Sequence, residues 1–187
     1  MPRRVDAFAQ LPHYADHLRP VWEALPDEAR GTWWGPYGDG TMGSRDPHPD
    51  RPMLVASLLD QQRIPHRPVI LVEHGAGQTY GGDPRGAAHG SYSGGDGWDQ
   101  ALGFICPSET VADRWRDRYP RAEAVAVGCP KLDEWIGRPP VRAVHPVVVF
   151  VFHWDCPLVP ETRSAADYFL PRLGPTRRGA AAHSLRA

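Results

Sequence analysis

The stretch Val69-Ile-Leu-Val-Glu-His-Gly-Ala-Gly-Gln-Thr-Tyr80 sets an apolar run directly against a histidine and two glycines. An imidazole changes protonation near neutral pH, so a histidine at the carboxyl end of a buried strand suits general-base work. Glycine lets the main chain approach a ligand closely. His74 is therefore the candidate catalytic base, and Gly75, Gly77, Gln78 and Tyr80 are the candidate substrate-binding residues, with the backbone of 75–78 shaping the site. The same residues also fit a plain loop, in which the glycines serve turn geometry and the histidine packs or caps.

Other chemistries find less support. His74-Gly-Ala-Gly77 resembles the oxyanion-hole loop of esterases, but Gly90-Ser-Tyr-Ser-Gly94 places Tyr92 where a nucleophilic serine would have to stand. His74, Asp83, His89 and Asp96 follow none of the usual zinc or calcium spacings, so no metal site is expected. No phosphate-binding GxxxxGK[ST] run occurs, and the glycines at 94, 95 and 97 do not follow an expected strand, so no cofactor is implied.

Several short elements must position these residues. Val5–Ala9 reads as a strand, and Tyr14, Leu18, Val21, Trp22 and Leu25 recur at helical spacing, with Pro20 expected to kink or split that helix. Gly31–Trp34, Met53–Ser57, Val69–Val72, Gly103–Cys106 and Ala122–Val127 read as further strands. Ser108 is placed to N-cap a helix whose face is Val111, Ala112, Trp115 and Tyr119, and Leu132, Trp135 and Ile136 fall on a later short helix. Two Gly-rich loops, 35–52 and 73–98, interrupt the pattern, and a loop as long as the second is usually functional or disordered. Most of the tryptophans suit packing, with Trp98 singled out as a ligand contact because it lies in that loop. Apolar strands alternating with amphipathic helices predict an α/β fold, a Rossmann-like parallel sheet covered on both faces, with ligands at the carboxyl ends of its strands.

Composition bounds the rest. The chain has 187 residues, enough for one ordinary domain, and a net charge of −1, which gives no general attraction to nucleic acid. The longest purely apolar run, Val147–Phe152, is far too short to span a bilayer, and no export signal follows Met1, so a cytoplasmic location is expected. Cys106, Cys129 and Cys156 are each followed by proline and match neither a disulfide framework nor a paired metal motif, so buried free thiols are expected. The Pro- and Arg-bearing segment 138–146 suits a linker, 147–173 offers one strand and one helix, and 174–187 has the composition of a disordered tail.

Three motifs taken in order carry a resemblance: strand-His-Gly at 69–75, Pro107-Ser108-Glu109 opening a helix, and Gly128-Cys-Pro-Lys-Leu-Asp133. They resemble the amino-terminal half of a GT-B-type transferase. They are similar to the CDP-glycerol glycerophosphotransferase (teichoic acid polymerase) group and, more distantly, to UDP-N-acetylglucosamine 2-epimerases. The resemblance implies that residues 1–137 form a Rossmann-like acceptor-side domain in which His74 is the base toward an acceptor hydroxyl and Ser108 a substrate contact. It implies that Gly128, Pro130 and Asp133 close this domain, and that 147–173 begins an incomplete donor-side domain, with His153 facing the donor phosphates. The partners so implied are a nucleotide-activated donor and a hydroxyl acceptor. The nucleotide-binding strands of that family do not follow Leu173, so a donor site built between two domains is expected to be incomplete, and an open half-interface would favour self-association into a homo-oligomer. The function expected is transfer of a glycosyl or glycerophosphoryl group. The alternative is a truncated, non-enzymatic domain that binds a sugar, a nucleotide or a partner protein.

Overall fold

Alternate residues of the apolar runs point to opposite faces, as the strand period of two requires. Met53, Val55, Val69, Leu71, Phe104 and Cys106 enter one core, while Ala7, Ala9, Leu54, Ala56 and Val72 enter another. A sheet buried on both faces is the arrangement these runs require. The computed structural model describes residues 4–36, 38, 48–64, 66–74 and 93–139. The chain divides into two units, Met1–Arg138 and Pro139–Ala187, and the description below is of the first.

The strands are Val5–Phe8 (β1), Arg30–Trp34 (β2), Met53–Val55 (β3), Val69–Val72 (β4), Ala101–Cys106 (β5) and Glu123–Ala126 (β6). They form a sheet in the order β2-β1-β3-β4-β5-β6, with every neighbouring pair parallel. This is a Rossmann-like α/β arrangement whose strand order reverses between β1 and β3, as it does in flavodoxin-type sheets. Connections leave in opposite directions from those two strands, and the crevice between them is where such sheets take ligands.

Helix Pro12–Ala24 (α1) joins β1 to β2, and proline at its first position needs no N–H partner there. Ala15 and Leu18 bury its inner face, and Val21, Trp22 and Leu25 pack against the core built on Ala7, Trp33 and Leu54. The helix continues through Pro20, contrary to the expected split. An interior proline costs roughly 3 kcal/mol, and burial of the face on either side of it outweighs that cost. Leu58–Gln61 (α2) is one turn, and Glu109–Arg118 (α3) covers the other face. Ser108 stands at the N-cap of α3, although its side chain makes no capping bond.

The second core is built from aromatic rings. Phe104 and Trp115 stack at 4.2 Å and 8°, and Trp98 meets Trp115 edge-on at 6.1 Å. Trp98 is 1% exposed, so it is a core residue and not the ligand contact expected from its loop setting. At the amino ends of the strands, the Asp6 carboxylate accepts from Thr32 N–H at 2.8 Å and from the Arg67 guanidinium at 2.7 Å, which ties β1 to β2 and to the turn before β4. Gly31 fits because a Cβ there would strike the Asp6 carboxylate.

Cys106 is buried and packs as a small apolar residue, with burial pushing its thiol up to about 12. Cys129 is exposed, contrary to expectation, because it follows β6 on the way to a surface 3₁₀ helix, Pro130–Trp135. Cys156, the segments 147–173 and 174–187 and all but the first two residues of the expected linker 138–146 lie outside the described residues. No helix among the described residues is long and apolar enough to cross a membrane.

Candidate functional site

Three chain segments meet where the strand order reverses. Gln10 leaves β1 for α1, Ala56-Ser57 leaves β3 for α2, and Glu73-His74 leaves β4. Val55 pairs with Leu71 in the parallel register, so Ala56 and His74 emerge at neighbouring places on the same edge.

His74 Nδ1 lies 2.5 Å from the Ala56 carbonyl oxygen. A carbonyl only accepts, so Nδ1 carries the proton and Nε2 of the neutral ring keeps its lone pair. Burial lowers the His74 pKa below its ordinary value; the Ala56 carbonyl works against this, and His13 adds to the lowering. At neutral pH the ring is therefore an unprotonated base of fixed tautomer, the state that general-base chemistry requires.

Helix α1 lays a polar face against this imidazole. The Tyr14 ring meets it edge-on at 5.2 Å and 68°, and the His17 ring at 5.8 Å and 62°. The pKa of His17 is pushed down to about 4 by burial first, then by Lys131, His74 and His13, with Asp16 opposing. Burial, reinforced by the neighbouring imidazoles and the Lys131 ammonium, thus favours the neutral form of His17, and burial with His13 that of His74.

The loop after β3 supports the same face. Ser57 is the N-cap of α2, its hydroxyl accepting from Asp60 N–H at 3.1 Å, and it opposes the rise that burial gives the Tyr14 pKa. Asp60 is completely buried; its Oδ1 accepts from Gln10 N–H at 3.0 Å, while Oδ2 has no hydrogen-bond partner among the described residues. Burial raises its pKa to about 6, with Gln10 and Ser57 offsetting part of the effect. Gln10 Nε2 also donates to the Leu59 carbonyl, so the turn after β1 is fastened to α2 by both its main chain and its side chain.

Glu73, next to His74, is anchored on the opposite face of the sheet. Its carboxylate accepts from Trp115 Nε1 at 2.6 Å and is hydrogen-bonded by Ser93, itself fully buried. Burial raises its pKa, and those two hydrogen bonds and Arg114 oppose the rise. The two ends of the Gly-rich stretch, Glu73 and Ser93, are thereby fastened to each other and to α3.

Of the residues singled out from the sequence, His74 sits at the carboxyl edge of the sheet, and Ser108 follows the neighbouring strand β5 to that same edge. Gly75, Gly77, Gln78, Tyr80, Asp83, His89 and His153 lie outside the described residues. Asp133 and Pro130 belong to the 3₁₀ helix that faces α1. Among the described residues no group of three or more His, Cys, Asp or Glu side chains is arranged to hold a metal ion. Nothing in their sequence setting marks His13, Tyr14, His17, Ser57 and Asp60 as site residues. The one local signal for them is Ser57-x-x-Asp60, a capping signature that fixes where α2 starts.

An open groove of about 910 Å³ runs between α1 and the 3₁₀ helix, and neither His74 nor Tyr14 lines it. Asp16, Arg19 and Glu23 of α1 line one side, and Lys131, Asp133 and Glu134 the other, with apolar surface from Val21, Leu25, Ile105 and Val127. Carboxylates outnumber cations in its lining, which suits hydroxyl groups as ligands better than phosphates. Against family models, curated proteins and solved structures alike, the chain finds no match.

Proposed function

We propose that residues 1–137 act as the acceptor side of a GT-B-like group transferase, with His74 as the general base toward a hydroxyl and a glycosyl or glycerophosphoryl group arriving from a nucleotide-activated donor. The observation that carries this reading is the His74 Nδ1–Ala56 carbonyl contact, which leaves Nε2 as a neutral base at the carboxyl edge of a parallel sheet. The groove along α1 supports a hydroxyl-bearing ligand, since its carboxylates can accept hydrogen bonds from hydroxyl groups.

In this scheme the acceptor oxygen attacks the electrophilic carbon or phosphorus of the donor as its proton passes to His74 Nε2. The bond to the nucleotide phosphate breaks, and the leaving group keeps that electron pair. The imidazolium so formed is held by the Ala56 carbonyl but disfavoured by burial and by His13, so it releases its proton readily once product departs. A base of that kind contributes about 10²- to 10⁴-fold in rate.

The test is turnover and calorimetric binding of the whole chain with CDP-glycerol, UDP, UDP-N-acetylglucosamine and simple polyols, using His74→Asn as the partner variant. Transfer that falls by about 10²-fold or more in a folded His74→Asn protein supports the base role. Transfer unaffected by that substitution overturns it.

A second reading, a domain that binds without catalysis, draws on a different observation. Leu132, Trp135 and Ile136 are 55%, 58% and 77% exposed, an apolar patch on the surface 3₁₀ helix and the turn after it. Patches of this kind mark interaction surfaces. Binding of sugar or nucleotide with no transfer to any polyol would favour this reading.

A further inference from the structure

The Ala56 carbonyl holds the His74 imidazole at Nδ1. The Tyr14 ring lies edge-on to the same imidazole at 5.2 Å and 68°. From this arrangement we infer that Tyr14 is the positioning residue for His74: its ring walls the imidazole into the orientation in which Nδ1 meets Ala56. The inference rests on the reading of His74 as a base, and it concerns a residue on α1 that makes no proton transfer of its own.

The argument is one of degrees of freedom. An imidazole held by a single hydrogen bond still turns about its χ2 bond, and that torsion is broad and roughly two-fold. The Ala56 contact fixes one edge of the ring, so a second, non-bonded surface is needed to keep the plane from rotating. Tyr14 supplies that surface on one side, with His17 at 5.8 Å adding a second. In aligned edge-to-face geometry a pair of rings also gains attraction of its own. The groups facing His74 from α1 are His13, Tyr14 and His17, and none of them is a carboxylate that would hold the ring by charge.

The experiment reads the ring directly. Long-range ¹H–¹⁵N spectra of the whole chain report each imidazole's tautomer and titration, with the His74 signals assigned by their loss in His74→Asn. In the parent protein His74 should show the Nδ1–H tautomer and titrate below its ordinary value. Tyr14→Ala should populate both tautomers and move the titration up by about half a unit or more. Tyr14→Phe keeps the ring, so it should restore Nδ1–H as the major form. Trp22→Leu, which loosens the packing of α1 against Trp33, should leave the His74 signals where they were. A folded Tyr14→Ala protein with unchanged His74 signals would overturn the inference, as would a Tyr14→Phe protein as disturbed as Tyr14→Ala. Because the readout needs no turnover, absence of transfer activity in the parent protein would count against the transferase reading alone.

Discussion

Asp60 is the residue whose removal separates structure from chemistry most cleanly. Its carboxyl is completely buried, one oxygen is paired with Gln10 N–H, the other has no partner among the described residues, and its pKa is raised from 3.8 to about 6. A raised carboxyl pKa means that the folded state binds the proton more tightly than the unfolded chain does. The stability it contributes is then fully present below pH 4 and is lost as the pH rises through about 6. Roughly two pH units at 1.36 kcal/mol each give about 3 kcal/mol lost by pH 7.

Asp60→Asn keeps an oxygen for the Gln10 N–H and cannot ionise, so it escapes this loss. Its amide N–H groups are left without the second oxygen's surroundings to satisfy them, which costs about 1–2 kcal/mol at every pH. The expected result is a variant less stable than the parent at pH 4 by that amount and more stable by about 1–2 kcal/mol at pH 7.5. The difference between the two proteins, taken from urea unfolding followed by tryptophan fluorescence and repeated across this range, is the quantity to plot. Taking the difference matters because His17 and His74 act in the opposite sense. Their pKa values are lowered on folding, so their contribution is present above pH 6.5 and is lost on acidification. A difference that stays flat from pH 4 to 7.5 would refute the assignment of a strained, titrating carboxyl to this position.

Further substitutions probe the contacts that tie the strands to their neighbours. Asp6→Ala removes the carboxylate that pairs with the buried Arg67 guanidinium and accepts from Thr32 N–H, leaving Arg67 its bonds to the Arg51 carbonyl, and should cost about 3–5 kcal/mol in denaturant unfolding; a loss under 1 kcal/mol would show that the Asp6–Arg67 pair is not what ties β1 to its neighbours. Trp115→Phe keeps an aromatic ring against Phe104 but removes the donor at 2.6 Å from Glu73, and should cost about 1–3 kcal/mol, with Trp115→Ala at about 3–5. Combining Trp115→Phe with Glu73→Gln should recover part of the Phe variant's loss, and no recovery would place the cost in packing alone.

The sheet was legible because its signal is local. Each of the six strands lies in a short apolar or aromatic stretch bounded by glycine, proline or polar residues, and helices α1, α2 and α3 follow β1, β3 and β5 as parallel neighbours require. The departures have physical reasons. Pro20 reads as a break, yet α1 runs through it, since the helix is held by Ala15, Leu18 and Trp22 against the sheet and not by its own propensity. Leu58–Gln61 is four residues long, too short to show any period. Trp98 takes its surroundings from residues Phe104, Trp115 and Tyr119, none of them adjacent in sequence, so its glycine-rich flanks gave the wrong environment.

The same distinction explains the site. His74 stood out because a strand, a histidine and a glycine are consecutive, whereas Tyr14 and His17 look from the sequence like ordinary positions on an amphipathic helix. They become part of a site only because the chain crosses from β2 back over β1 to β3, which sets the start of α1 beside the ends of β3 and β4. The contact that gives His74 its chemistry is silent in the sequence for a deeper reason. It is made by a main-chain carbonyl, which every residue type at position 56 would supply, so no side chain records it. Ser57 does leave a record, through its hydroxyl to Asp60 N–H. Substitution at 56 should therefore be tolerated wherever a small side chain fits the buried position, while substitution at 57 should loosen the start of α2.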